Sequence, residues 1–299
     1  ITGLSIAYSI LAKQNRANNS ASYYKNSFSW DQVGSPLIGS QARALFGDSV
    51  AQSSNGYIVA VGATFDNTGG SKAGGVYVYG LNQKQWSAIG TPIFGDPGDL
   101  AGQSVALSGD GTCVGFGSRA YSYNEYARLG KVSVYIYEHG DWAPKGNPIR
   151  GQHAGDEAGF SLAMSESGNI LAVPAWQNDD VQQDSGHVRI FEYTLTDWKQ
   201  LGLTLNGSNK SDFFGFSVSL SSDGKRLAVG APQINTGKGY VRAFEYSSSG
   251  VWLQLGLDIN GEEANGWAGS AVSLSSSGEY VAVGSSNSAT VIVYKYQQS

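Results

Sequence analysis

The sequence predicts an all-β fold of repeated four-stranded sheets, and three observations predict it. A segment of alternating apolar and polar residues recurs five times, each copy is followed by a turn glycine, and five tryptophans recur at nearly equal intervals.

The clearest copy spans residues 214–232. Val218 and Leu220 alternate with Ser217, Ser219 and Ser221, the period-two pattern of a strand with one buried face. Asp223-Gly224 suits the left-handed backbone of a tight hairpin. Leu227-Ala228-Val229-Gly230 then reads as a second strand bounded by glycine and proline. The first strand recurs at residues 47–53, 102–108, 159–165, 215–221 and 269–275, followed by Gly56, Gly111, Gly168, Gly224 and Gly278. Second strands follow at residues 58–62, 171–173 and 281–284. After a variable loop a third strand starts at Val76, Val132, Val188, Val241 and Val291.

A fourth element opens with tryptophan. Trp30, Trp86, Trp142, Trp198 and Trp252 lie 56, 56, 56 and 54 residues apart. Each has a glycine four residues on (Gly34, Gly90, Gly146, Gly202, Gly256) and a glycine nine on (Gly39, Gly95, Gly151, Gly207, Gly261). An aliphatic residue stands seven on (Leu37, Ile93, Ile149, Leu205, Ile259). Four short strands in a repeat of about 56 residues match a blade of a β-propeller. The count gives a five-bladed β-propeller over residues 30–299, with residues 1–29 as an N-terminal extension. Residues 30–38 are expected to complete the blade begun by residues 269–296, a closure that removes free sheet edges.

The hairpin from Phe214-Gly215 to Gly230-Ala231-Pro232 resembles the FG-GAP repeat of integrin α-subunit propellers and their relatives. The resemblance covers residues 30–299 in five copies and implies a propeller with extracellular adhesion or assembly roles. Many such repeats carry a calcium loop of the Asp-x-Asp-x-Asp-Gly kind. Here the corresponding loops read Asp66-Asn67-Thr68-Gly69-Gly70, residues 178–184, and Gln233 onward, without the alternating oxygen ligands that calcium needs. No metal or other cofactor is expected.

Charged residues are 14% of the chain, against about 25% in ordinary soluble domains. A net charge of −5 without a Lys/Arg run argues against nucleic acid as a partner. No stretch has the ~18–20 apolar residues of a membrane span, so membrane insertion is not expected. Cys113, the one cysteine, falls in a second strand and reads as a small buried hydrophobe. Asn18, Asn206 and Asn209 fit the N-glycosylation acceptor pattern, the last two in a loop joining blades. With a first residue, Ile1, of the kind a processed chain would have, these point to an extracellular, secreted or cell-surface glycoprotein.

The N-terminal extension departs most from the repeat. Residues 3–9 have the spacing of a first blade strand, but no turn glycine follows, only the polar run of residues 13–21. One reading is a decayed sixth blade, or a strand packed on its own propeller. The other is a strand that docks on a neighbouring copy, with Leu4, Ile6, Tyr8 and Ile10 on one face. Main-chain hydrogen bonds then give affinity and alternate side chains give specificity. Head-to-tail contacts of that kind propagate as filaments unless the rotation closes a ring.

Other candidates are weighed against bland alternatives. Tyr121, Tyr123 and Tyr126 gather in one long loop, as an aromatic cluster for a protein or glycan surface or as loop packing. Asp179, Asp180 and Asp184 could serve glycoside hydrolysis, but lie at no inward strand position and read as a solvated loop. His139, His153 and His187 are too scattered for a familiar metal set. No Gly-x-Ser-x-Gly elbow is present, and near-identical blades argue against an active site. The expected function is therefore structural and not enzymatic: a subunit that assembles with itself into an extracellular filament or surface layer. A lectin-like or adhesive propeller is the alternative, and a glycoside hydrolase comes third.

Overall fold

The computed structural model describes residues 30–122, 127–234 and 237–297. Every element among them is a strand, and five antiparallel sheets follow one another along the chain. Sheet I holds β1 (Phe46–Gln52), β2 (Ile58–Ala63), β3 (Gly75–Asn82), β4 (Gln85–Ala88) and β5 (Ile93–Phe94). Sheet II holds β6 (Ala101–Leu107), β7 (Cys113–Ser118), β8 (Lys131–Glu138), β9 (Asp141–Pro144) and β10 (Ile149–Arg150). Sheet III holds β11 (Ala163–Met164), β12 (Ile170–Ala175), β13 (His187–Tyr193), β14 (Trp198–Gln200) and β15 (Leu205–Asn206). Sheet IV holds β16 (Ser217–Leu220), β17 (Arg226–Ala231), β18 (Tyr240–Tyr246), β19 (Trp252–Gln254) and β20 (Ile259–Asn260). Sheet V holds β21 (Ala268–Leu274), β22 (Tyr280–Ser285) and β23 (Thr290–Lys295).

The first three strands of each sheet form a meander, as the repeat predicts. The fourth element differs from the single strand expected. In sheet I both β4 and β5 pair with β3, Trp86 opposite Leu81 and Ile93 opposite Val76. Sheets II, III and IV repeat this division. The break falls at the glycine four residues after the tryptophan. Gly90, Gly146 and Gly202 have φ of +67°, +75° and +76°, a left-handed conformation that glycine adopts without steric cost and an extended strand cannot pass through.

The Gly-x-Ser of the first strand has a packing role. Two residues go unpaired at Gly47-Asp48, Gly102-Gln103 and Gly269-Ser270, a bulge that bends the strand. The serine two residues on reaches the next sheet: Ser49 Oγ donates to the Gly102 carbonyl at 2.7 Å, Ser104 Oγ to Gly159 at 3.0 Å and Ser217 Oγ to Gly269 at 2.7 Å. A Cβ on Gly62, Gly117 or Gly230 would overlap those same carbonyls. The glycine that ends the second strand therefore lets neighbouring sheets meet backbone to backbone.

Apolar residues fill the spaces between sheets. Ala60, Val76 and Val78 of sheet I pack on Val114 and Phe116 of sheet II. Val132 and Val134 pack on Leu171 and Val173, Val188 and Ile190 on Leu227 and Val229, and Val241 on Val281 and Val283. A fully buried Val or Leu contributes about 1.5–3 kcal/mol, so these four layers supply most of the cohesion.

Tryptophan clasps link sheet I to II, II to III and III to IV, and a fourth holds residues 30–38 against sheet I. The indole N–H of Trp86 donates to the Val33 carbonyl at 2.9 Å, Trp142 to Ile89 at 2.7 Å, Trp198 to Lys145 at 2.7 Å and Trp252 to Leu201 at 2.9 Å. Each acceptor precedes a left-handed glycine, the break glycine of the preceding sheet for Trp142, Trp198 and Trp252 and Gly34 for Trp86, and the indole lies over that glycine. A Cβ on Gly34, Gly90, Gly146 or Gly202 would come within 2.7–2.9 Å of the tryptophan Cδ1. Trp142, Trp198 and Trp252 also pack on a tyrosine of their own third strand, with ring centroids 5.2 Å apart for Tyr137–Trp142, 5.3 Å for Tyr193–Trp198 and 5.2 Å for Tyr246–Trp252, whereas Trp86 stands opposite Leu81.

Sheet V breaks the series. Among the described residues it has three strands, and β23 pairs with β22 alone. Residues 30–38 form no strand, so the expected pairing with residues 269–296 is not made. Trp30 is fully exposed, whereas Val33-Gly34 is already engaged by Trp86.

Trp142→Phe keeps a ring but leaves the Ile89 carbonyl without its donor, and should cost about 1–2 kcal/mol. Gly90→Ala forces a side chain into the left-handed region beneath the indole and should cost at least as much. Trp30→Phe should leave the stability of the isolated chain unchanged. Urea midpoints of the three variants check this.

Candidate functional site

The two ends of the sheet array are unlike each other. At the first end, residues 30–38 lie against sheet I with Trp30 facing solvent and Val50 of β1 also exposed. No side chain approaches the open position above Gly47, whereas Gly102, Gly159, Gly215 and Gly269 all have a close neighbour from the preceding sheet. At the second end, Val291 and Val293 of β23 are 67% and 63% exposed, on an edge that has no partner strand among the described residues. Gly256 has φ +69° and, among the described residues, nothing within 4 Å of its Cβ position, while Gly90, Gly146 and Gly202 each lie under an indole. Leu257 beside it is 89% exposed. Sheet V carries Ala271 where sheets I to IV carry the motif serine.

The first strands converge on one axis. Gln52, Leu107, Met164, Leu220 and Leu274, one from each sheet, surround a depression of about 280 Å³. Backbone bonds step round it, from Ser54 N–H to Gly109 O, Gly109 to Glu166, Glu166 to Ser222 and Ser222 to Ser276. Ser54 Oγ donates to Glu166 Oε1 at 3.0 Å, tying sheet I to sheet III.

Several residues singled out in the sequence lie outside the described residues: Leu4, Ile6, Tyr8, Ile10, Asn18, Tyr123 and Tyr126. Tyr121 is buried, with Lys131 Nζ 4.0 Å from its ring centroid. Asn206 lies in β15, opposite His187, and not in a loop; Asn209 is exposed and its N–H donates to Asp212 Oδ2 at 2.9 Å. Asp184 donates its N–H to Asp179 Oδ1 at 2.7 Å. Burial, and then the Asp179 charge, raises the Asp184 pKa. Cys113 is buried, with the Lys145 ammonium 3.4 Å from Sγ.

Two of the three scattered histidines meet at one carboxylate. His153 Nδ1 lies 3.2 Å from Asp180 Oδ1, and His187 Nδ1 lies 3.6 Å from Asp180 Oδ2. His139 stands apart on the surface. His187 opens β13 and is fully buried, and neither of its ring nitrogens makes a hydrogen bond. Asp156 is buried close by, accepting from Gln152 N–H, His153 N–H and Asn178 Nδ2 at 2.7–2.9 Å. Arg189 reaches from the same strand to the Arg150 carbonyl. Burial pushes the His187 pKa down to about 4, and the Arg189 charge pushes the same way, against the pull of Asp156 and Asp180. Among the described residues, no group of three His, Cys, Asp or Glu is placed to hold a metal ion, and no helix is long and apolar enough to cross a membrane.

No family model and none of the curated proteins compared matches the chain. Solved structures do. Hydrazine synthase of Kuenenia stuttgartiensis aligns with a TM-score of 0.55 at 15% identity, over 83% of this chain and 64% of that one. Periplasmic gluconolactonase of Pseudomonas aeruginosa aligns with a TM-score of 0.53 at 17% identity, over 79% of this chain and 64% of that one. The chain thus spans a little under two thirds of either, and at such identity the likeness is one of propeller-type fold.

The buried histidine sets a pH dependence. Because its folded pKa lies below the ordinary 6.5, the unfolded chain takes up this proton first as the pH falls. Stability from neutral His187 is complete above the ordinary value and is lost between pH 6.5 and about 4, by roughly 3 kcal/mol. Thermal melts across that range should show the decline, and His187→Gln should flatten it.

Proposed function

We propose that the chain is a structural subunit that assembles head to tail with copies of itself, its five sheets serving as five propeller blades. The observation that supports this is the pairing of unlike open ends, a free tryptophan on an anchored segment at one and an unfinished sheet with an empty tryptophan seat at the other. Surfaces of that kind are heterologous, and heterologous contacts extend into filaments when the rotation does not close. Among the described residues the β23 edge has no partner strand and carries two exposed valines, and such an edge is a docking template for another strand. The N-terminal segment, with Leu4, Ile6, Tyr8 and Ile10, is the connector in this reading. Low charge and the Asn206 and Asn209 acceptors, both on exposed residues, favour an extracellular assembly that carries glycans.

An enzymatic reading has one foothold, the His153–Asp180–His187 grouping. It ranks second because His187 is fully buried, so a substrate reaches at most the outer histidine and the carboxylate. The activities in the names of the two solved structures belong to those proteins. A lectin-like reading has no comparable support.

Electron microscopy and light scattering on the intact chain and on a chain lacking residues 1–29 test assembly. The intact chain should form filaments or large multimers, and truncation should reduce them to small species. An intact chain that stays monomeric at all concentrations defeats the proposal.

A further inference from the structure

We infer that the contact between copies is a fifth tryptophan clasp: residues 30–38 of one copy become the missing fourth element of sheet V in the next. The inference rests on the head-to-tail reading and specifies its interface in register.

The four clasps within the chain fix what the fifth must be. In each, a tryptophan N–H meets the carbonyl before a left-handed glycine, which for Trp142, Trp198 and Trp252 is the break glycine of the preceding sheet. Applied to Trp30, the rule selects the Leu255 carbonyl and the face of Gly256, the break glycine that carries no indole. The strand register is fixed in the same way. Trp142, Trp198 and Trp252 stand opposite Tyr137, Tyr193 and Tyr246, five residues beyond Val132, Val188 and Val241. The equivalent position in the fifth sheet, five beyond Val291, is Tyr296. Ile93, Ile149, Leu205 and Ile259 stand opposite Val76, Val132, Val188 and Val241. Leu37 therefore pairs with Val291, and Trp30 stacks on Tyr296.

The occupant is a second copy and not the chain's own first segment. Val33-Gly34 is already held by Trp86 of the same chain, the seat that the fourth element of a preceding sheet takes. Yet Trp30, three residues away, is fully exposed and Gly256 is uncovered. A segment fixed to its own sheet I can thus offer Trp30 outward, and the open sheet V of another copy presents the matching edge. Docking in this arrangement covers Trp30, Val50, Leu257, Val291 and Val293 together, large apolar residues exposed at the two ends.

Cross-linking at the deduced register tests this. In the chain carrying Leu37→Cys and Val291→Cys, mild oxidation should give a non-reducing ladder of dimers, trimers and higher species; native Cys113 is buried. Trp30→Ala added to the pair should weaken the ladder at least tenfold, while the same change should leave the melting of the isolated chain unaltered. A fast-migrating monomer with an internal link would overturn the inference in favour of closure within one chain. Multimers that form without any cross-link at this pair would also overturn it, and would leave head-to-tail assembly standing on residues 1–29 alone.

Discussion

The arrangement depends on a hydrogen bond from an indole to a carbonyl one sheet away, made over a glycine that has no side chain to obstruct it. A buried carbonyl without a donor costs about 1–3 kcal/mol, and a large aromatic surface left in water costs a comparable amount. Each sheet therefore supplies half of a contact that its neighbour must complete. The serine-to-glycine bonds nearer the axis follow the same logic, from Ser49 to Gly102, Ser104 to Gly159 and Ser217 to Gly269. An array built this way must end in two unmatched halves, unless the ends meet each other or meet another copy.

Much of this is legible in the sequence, but only as spacing. The tryptophan interval and the glycines four and nine residues on mark the repeat. They do not say that the indole of Trp142 serves Ile89 in the preceding sheet, because acceptor carbonyls have no sequence signature. The glycine four residues on reads as part of a strand, and its positive φ turns it into the break between β9 and β10. Alternation of serine with aliphatic residues identifies the first strand, while the bulge that turns Ser49 and Ser104 toward the next sheet depends on inter-sheet distance.

The histidines teach the same lesson about distance. Residues 153 and 187 are far apart in the chain and match no metal spacing, yet the loop after β10 and the start of β13 bring both to Asp180. A clue existed in the position of His187, one residue before the apolar run of a third strand, where burial is expected. The carboxylate it meets lies in the loop between β12 and β13, and His153 in the loop that leaves the preceding sheet. Asn206 misled in the opposite direction, since a polar residue beside glycine resembles a loop but completes a two-residue strand.

The central claim is that sheet V is finished by another copy, and hydrogen exchange along β23 as a function of protein concentration tests it most directly. The account predicts that the amides of residues 290–295 facing the open edge exchange freely at high dilution and become protected as multimers form, while β3, β8, β13 and β18 stay protected throughout. Full protection of β23 in a dilute monomer would contradict it, because the edge would then be closed from within the same chain.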